Sequence, residues 1–394
     1  MASKRGDNEG TIRLRKDGRW EGRFIIGYHP DGRPKRKGVF GSSRKEVQDK
    51  LRDAITQVMK DEYVEPDKMT VTEWLRTWFQ VYGRLRWRES TAATHFENIE
   101  LHLVPGVGMH PIQKLRPEHI QALINKKKKD GYAPGSIRKI MEPLQMALKQ
   151  ALINQLIQRN PAISLSFPAA DQKEIEVLTI EEQKVFLDHL PDNIYGRSLR
   201  FILGTGLRAS ELCGLRWQDI DGNYFTIRQG VQRVTDLDSK LEGKKGKLKK
   251  KVYVAPPKTK AGKREIPLTE GMQKLLEYQK KLQKEMRLKA GSAWLGGMPG
   301  DGGTYVFATE VGTPMDRTNL GRALRTYLKQ CNLKNRGVHA LRHTFATNCV
   351  RAGVDLRTLS EMLGHTKVSF TMQLYVHSDL ETKRAAMRKL EGLF

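Results

Sequence analysis

Four short stretches hold most of the side chains in this sequence that could do chemistry. They are TGLRASEL at 205–212, PKTKAGKREIPL at 257–268, HALRH at 339–343 and LGH at 363–365, with a lone tyrosine, Tyr375, downstream. Together they offer Arg208 and Arg342, Lys258, His339 and His365, and one phenol. A phosphodiester under attack gains negative charge on its non-bridging oxygens, and guanidinium forks are the best fixed donors for that charge. A phenol, with a pKa near 10, attacks at neutral pH only beside a base or cations. The set is therefore suited to holding a phosphodiester while a tyrosine attacks it.

Each residue also has a plainer reading. Arg208 could form an ordinary ion pair with Glu211 one turn on, and Glu211 itself reads as an orienting group rather than a reactive one. His339 and Arg342 are three apart in a helical pattern and share a face, with His343 beside them at four. HxxxH invites a zinc-protease reading, but Ala340 stands where that motif needs glutamate, so no metal site is expected. Taken alone, Lys258, Lys260, Lys263 and Arg264 would each be a surface cation, and Tyr375 in VSFTMQLYV a core tyrosine. GTGLRA at 204–209 mimics a dinucleotide fingerprint, yet the alternating strand–helix pattern that such a fold requires is missing around it.

Charge points the same way. The 394 residues carry 70 Lys and Arg against 44 Asp and Glu, a net charge of +26, and the natural partner for such a chain is a polyanion, with nucleic acid the default. With 38% hydrophobic residues the chain can bury sizeable cores. The three cysteines, Cys213, Cys331 and Cys349, are scattered and make no CxxC pair, which argues against zinc knuckles and disulfides and for a reducing compartment. MASKRGDNEG lacks the apolar segment of a signal peptide, and no long apolar run suggests a membrane span, so a cytoplasmic location is expected.

Around these motifs three parts are legible: residues 1–65, 66–170 and 171–394. In the first, TIRLRK, RWEGRFIIGY and RKGVFGS read as strands separated by Asp17-Gly18 and Asp31-Gly32 turns, followed by a helix capped at Ser42 or Ser43. Arg13, Arg15, Arg23, Lys35, Arg36 and Lys37 decorate the strands. A solvated basic face is the plainer reading, and a sheet with arginines on one face also fits strand-in-groove DNA reading. The second part shows helical periodicity in about four segments, with basic strips at Arg84, Arg86 and Arg88 and from Lys126 to Lys129 that suit phosphate contacts. NPAISLSFPAADQKE, 160–174, reads as a linker. The third part is mixed α+β and mainly helical: Thr179 and Glu182 form a capping box, YFTIR, KKVYVAP and KREIPL are short strands, and helices fill most of the rest. KLEGKKGKLKKK at 240–251, with Lys244 and Lys247, is expected to make a basic hairpin on the DNA backbone, with a solvated loop as the alternative.

The motifs, in this order, resemble the catalytic domain of tyrosine recombinases, the integrases of phages and conjugative transposons. TGLRASELCGLRWQDID resembles the first arginine box, PKTKAGKREIPL the strand-turn-strand lysine motif, and HALRHTFAT with LGH…Y the second box. The resemblance implies an arm-binding sheet domain, a SAM-like helical core-binding domain and a catalytic domain with a C-terminal tail helix. It makes Tyr375 the nucleophile that forms a 3′-phosphotyrosine, Lys258 the acid protonating the departing 5′ oxygen, His339 the proton carrier and His365 a donor to the phosphate. It further implies double-stranded DNA as partner, a homotetramer joined through the tail, an excisionase or DNA-bending accessory protein, and no cofactor. The details look closer to the transposon group than to phages. A type IB topoisomerase-like nicking-closing enzyme and a non-catalytic DNA-binding regulator are the alternatives; the N-terminal module speaks against the first and the occupied catalytic positions against the second.

Overall fold

The computed structural model describes residues 10–60, 63, 68–169, 176–238, 248–257, 259–296, 304–365 and 388. The chain divides into two compact units, residues 1–171 and 172–394. Among the described residues no helix is long and apolar enough to cross a membrane.

The first unit begins with an antiparallel sheet in the order β1 (Thr11–Leu14), β2 (Trp20–Tyr28), β3 (Pro34–Gly41). Both expected turns close hairpins, because Asp17 and Asp31 each accept the backbone N–H two residues on, from Arg19 and Arg33. Helix α1 (Arg44–Met59) is capped by Ser43, whose hydroxyl accepts from the Glu46 N–H. It buries Val47, Leu51 and Ala54, one stripe at helical spacing, and the last two pack with Phe24 of the sheet.

Strand register divides the six basic candidates of this module. Arg13 pairs with Glu21, Arg23 with Thr11 and Arg36 with Ile25, so these arginines share the face turned from the α1 core. Lys37 pairs with Phe24, which puts it and Lys35 in the opposite row. The expected face of arginines is formed by Arg13, Arg23 and Arg36, and the two lysines lie off it. Arg13 and Arg23 both donate to Glu21, at 2.7 and 2.9 Å. Arg15 lies over the Phe40 ring, 5.5 Å from its centroid.

Helices α2 (Val71–Trp78), α3 (Glu89–Asn98), the short α4 (Val104–Val107), α5 (Pro117–Lys129) and α6 (Pro134–Ile153) follow. The four longer ones match the expected bundle. They close on Trp74, Leu75, Trp78, Ile120, Met141 and Leu144, and the Trp74 indole N–H reaches the Ala147 carbonyl at 2.8 Å. Arg84, Arg86 and Arg88 flank Trp87, whose ring is anchored against Trp78 and His95. Lys126 is exposed in the last turn of α5, and Lys127 meets His102 at 3.3 Å. The expected linker is held at its start: Gln121 exchanges hydrogen bonds with the Ser166 backbone, and Arg138 covers Phe167.

The second unit opens with α7 (Ile180–His189), where the Thr179–Glu182 capping box forms, then α8 (Ile194–Thr205) and α9 (Ala209–Gly214). A sheet of order β4 (Ile220–Asp221), β5 (Tyr224–Thr226), β8 (Glu265–Pro267) adjoins a hairpin of β6 (Gly230–Thr235) and β7 (Lys250–Ala255). The lysine motif therefore does not sit on one hairpin: β7 pairs with β6 and β8 with β5, and the chain between β7 and β8 crosses from one sheet to the other. The lysine-rich segment follows β6 and runs into the first two residues of β7, and its Lys244 and Lys247 fall outside the described residues. Among the described residues, four helices follow: α10 (Glu270–Ala290), α11 (Arg317–Gln330), α12 (Val338–Arg351) and α13 (Leu356–Leu363). Phe186, Leu199, Phe201, Phe225, Phe307 and Leu324 centre its core.

Candidate active site

Two left-handed glycines turn the chain at the places where the motifs meet. Gly206 (φ 68°) ends α8, and a β-carbon there would lie 2.4 Å from the Phe345 ring. Gly364 (φ 64°) ends α13, and a β-carbon there would lie 2.9 Å from the Ala261 carbonyl oxygen. Any other residue would meet both the strain of positive φ and these contacts. The first turn delivers Arg208 to the start of α9, the second delivers His365.

Arg342 projects from α12 into the same corner and is 2% exposed. It donates to the Gly206 carbonyl at 2.8 Å and to the Leu363 carbonyl, and its Nη2 lies 3.1 Å from His365 Nε2. A guanidinium can only donate, so Nε2 accepts and the proton of a neutral His365 resides on Nδ1. Arg208 is the more open of the two. Its Nη1 meets Glu211 at 2.6 Å and its Nη2 the Gly364 carbonyl at 3.3 Å, so both arginines grip the 363–365 corner. The ion pair of Arg208 with Glu211 exists as well, and it fixes the guanidinium toward this corner.

Glu211 is itself enclosed. Arg264 donates to both carboxylate oxygens, at 3.1 and 2.9 Å, and its Nε reaches the Met362 carbonyl. Burial works against the Glu211 charge, but hydrogen bonding and attraction from Arg264, then Arg208, hold its pKa down at about 2. The guanidinium groups of Arg208 and Arg264 meet the one carboxylate of Glu211, and that of Arg342 lies in the same corner.

His339, at the start of α12, keeps part of its ring exposed, and burial of the rest, followed by Arg342 and Arg208, lowers its pKa. It is therefore neutral at physiological pH and able to accept a proton. His343 stacks edge-on against it with ring centroids 4.6 Å apart. Burial first, with neighbouring cations, pushes both His343 and His365 down to about 4. Unfolded imidazoles titrate near 6.5, so between about pH 6.5 and 4 the unfolded chain binds more protons and folding loses stability as pH falls. Thermal melts at constant ionic strength should show a midpoint falling on the order of several degrees from pH 7 to pH 5; a flat midpoint would contradict neutral histidines.

Lys258 and Tyr375 lie outside the described residues, as does the 379–394 tail apart from Arg388. The described part of the site thus gathers Arg208, His339, Arg342 and His365. Sequence reasoning assigns Glu211 its orienting part but misses Arg264, which along the chain is one of several competing surface cations. A signal for it exists: Arg264, Ile266 and Leu268 alternate in KREIPL, and all three are buried. No group of three His, Cys, Asp or Glu side chains able to hold a metal occurs among the described residues.

A family model described as the phage integrase family matches residues 171–382, and one described as the phage integrase N-terminal SAM-like domain matches residues 70–128. The chain is 29% identical over 384 residues to a tyrosine recombinase XerC-like protein of Caldanaerobacter subterraneus subsp. tengcongensis, covering 94% of this chain and 95% of that one. It is 24% identical over 426 residues to the transposase from transposon Tn916 of Enterococcus faecalis, covering 99% and 97%. Its fold is similar to that of the Tn1549 transposon integrase, solved in complex with a circular intermediate DNA. The TM-score is 0.63 and the identity 23%, over 82% of this chain and 99% of that one. A lambda integrase tetramer bound to a Holliday junction matches with a TM-score of 0.57 and 17% identity, over 94% and 96%.

Proposed function

The chain belongs to the phage integrase family, and from that premise we propose that it is a site-specific tyrosine recombinase that moves a mobile element by cutting and rejoining DNA. The carrying observation is the convergence of Arg208 and Arg342 on the 363–365 corner, with a neutral histidine beside it. In this reading the Tyr375 oxygen attacks phosphorus and gives its proton to His339. The bond from phosphorus to the 5′ oxygen breaks, and Lys258 protonates that oxygen. Arg208 and Arg342 carry the charge that builds on the non-bridging oxygens, and His365 Nδ1–H adds a donor. The 3′-phosphotyrosine keeps the energy of the diester, so a 5′-hydroxyl from a second strand reverses the step without ATP or magnesium.

Residues 1–65 would hold arm-type sites through Arg13, Arg15, Arg23, Lys35, Arg36 and Lys37. Residues 66–170 would hold the core site through Arg84, Arg86, Arg88 and Lys126, with Lys244 and Lys247 of the catalytic part, 171–394, on the backbone. The Tn916 and Tn1549 relatives favour a conjugative transposon as the element, and the lambda integrase tetramer favours four protomers on paired sites. The tail after 379 is assigned to docking on the neighbouring protomer, and an excisionase or DNA-bending protein to the choice of direction.

The test is a library of nicked duplexes of random sequence, incubated in EDTA, in which cleavage beside the nick releases a short fragment and traps the protein on DNA. A covalent adduct concentrated on related sequences is expected. No adduct would leave a DNA-binding regulator, and adducts without sequence preference a nicking-closing enzyme.

A further inference from the structure

We propose that Arg264 is a positioning residue for the strand-cleavage step, acting through Glu211 on Arg208. The inference rests on the recombinase reading of the site. Arg264 touches none of the groups assigned to the chemistry, yet its side chain is 6% exposed and it braces two of the elements that carry them. Nη1 and Nη2 hold the two oxygens of Glu211 at 3.1 and 2.9 Å. Nε holds the Met362 carbonyl in the last turn of α13, and Nη1 the Gly262 carbonyl of its own loop at 3.2 Å. One planar fork thereby ties together the start of α9, the end of α13 and the chain entering β8.

The geometry explains why the residue is an arginine. Glu211 has two neighbours to serve: its oxygens also accept the Arg208 backbone N–H at 3.0 Å and Arg208 Nη1 at 2.6 Å. With Arg264 absent, the carboxylate would be free to swing, and Arg208 could follow it away from the corner. A lysine keeps the positive charge but offers one nitrogen where three separate nitrogens are in use, so it cannot brace both oxygens and Met362 together. Gly364 belongs to the same arrangement, since a β-carbon there would come within 3.0 Å of Arg264 Nη1.

The consequence is specific. Arg264 should matter for cleavage only as long as Arg208 is present to be aimed. Single-turnover cleavage of the nicked duplex is measured for the full-length protein and for Arg264→Lys, Arg208→Ala and the double variant, alongside thermal midpoints and duplex affinity. Arg264→Lys is expected to cleave about 10–100-fold more slowly, with duplex affinity within about twofold of the parent. In the Arg208→Ala background the same change is expected to cost less than about twofold. Additive losses, or Arg264→Lys cleaving within about twofold of the parent, would overturn the proposal. Should Arg264→Lys fail to fold, Glu211→Gln takes its place. It keeps the shape of the brace while weakening its hold, and the same non-additivity with Arg208→Ala is required of it. A parent protein that forms no adduct at all would instead remove the recombinase reading, and is seen in the same experiment.

Discussion

Phenylalanine at 375 is expected to abolish the covalent protein–DNA adduct, with a loss of cleavage on the order of 10⁴-fold or more and duplex affinity within about twofold of the parent. The size follows from what remains. Without the phenol oxygen the arginine corner still binds and polarises the diester, but no group is left to store the broken bond, and a water molecule has neither the position nor a route to religation. Other tyrosines of the catalytic unit are poor substitutes. Tyr224 and Tyr278 donate to Asp221 and Asp192, and those bonds raise their pKa values, which is the wrong direction for a nucleophile. Tyr305 is wholly buried. Electrophoresis of the trapped complex checks the result, and peptide mapping of the parent adduct should return the segment containing Tyr375. An adduct of parental yield from the phenylalanine variant would transfer the reaction to another residue and dismantle the scheme built around the corner.

Much of this is legible in the sequence because short-range physics wrote it. The DG turns, the Ser43 cap, the Thr179–Glu182 box and the periodic helices of the bundle all depend on residues within a few positions of one another. The reactive set is legible for a different reason: few side-chain types can bear phosphodiester chemistry, so their order along the chain carries the resemblance. What the sequence hides is pairing at long range. Strand β6, GVQRVT, has only a weak alternation and does not stand out, so the lysine motif looks like a hairpin where the chain in fact changes sheets. The basic strands of the N-terminal module look uniform along the chain, and only the register shows Lys35 and Lys37 leaving the arginine face. Arg264 is hidden by company: flanked by Lys260 and Lys263, it looks like one more solvated cation, though its spacing from Ile266 and Leu268 already turns it inward.

Replacing Arg342 by lysine should reduce single-turnover cleavage by about 10²–10³-fold at unchanged duplex affinity. The charge survives the substitution, but the fork does not. Arg342 spreads its donors over the Gly206 and Leu363 carbonyls and His365, and one ammonium at the end of a shorter stem cannot serve all three from inside the protein. The turn at Gly206 and the corner at 363–365 then lose the group that locks them to α12, so Arg208 and His365 are misdirected together. Removing the charge as well, with Arg342→Met, separates two effects. Two buried carbonyls lose their partner, at about 1–3 kcal/mol each, while repulsion from Arg208 and Arg264 is relieved. The carbonyl loss involves direct, fully buried bonds, so the net expectation is a lower thermal midpoint. His365 supplies an independent reading, because Arg342 is the largest electrostatic cause, after burial, of its descent to about 4. In Arg342→Met the His365 pKa should climb back toward its ordinary value, a change that imidazole proton resonances would follow directly. Cleavage within about threefold of the parent in the lysine variant, with His365 still titrating near 4 in the methionine variant, would mean that Arg342 serves packing and not the phosphate.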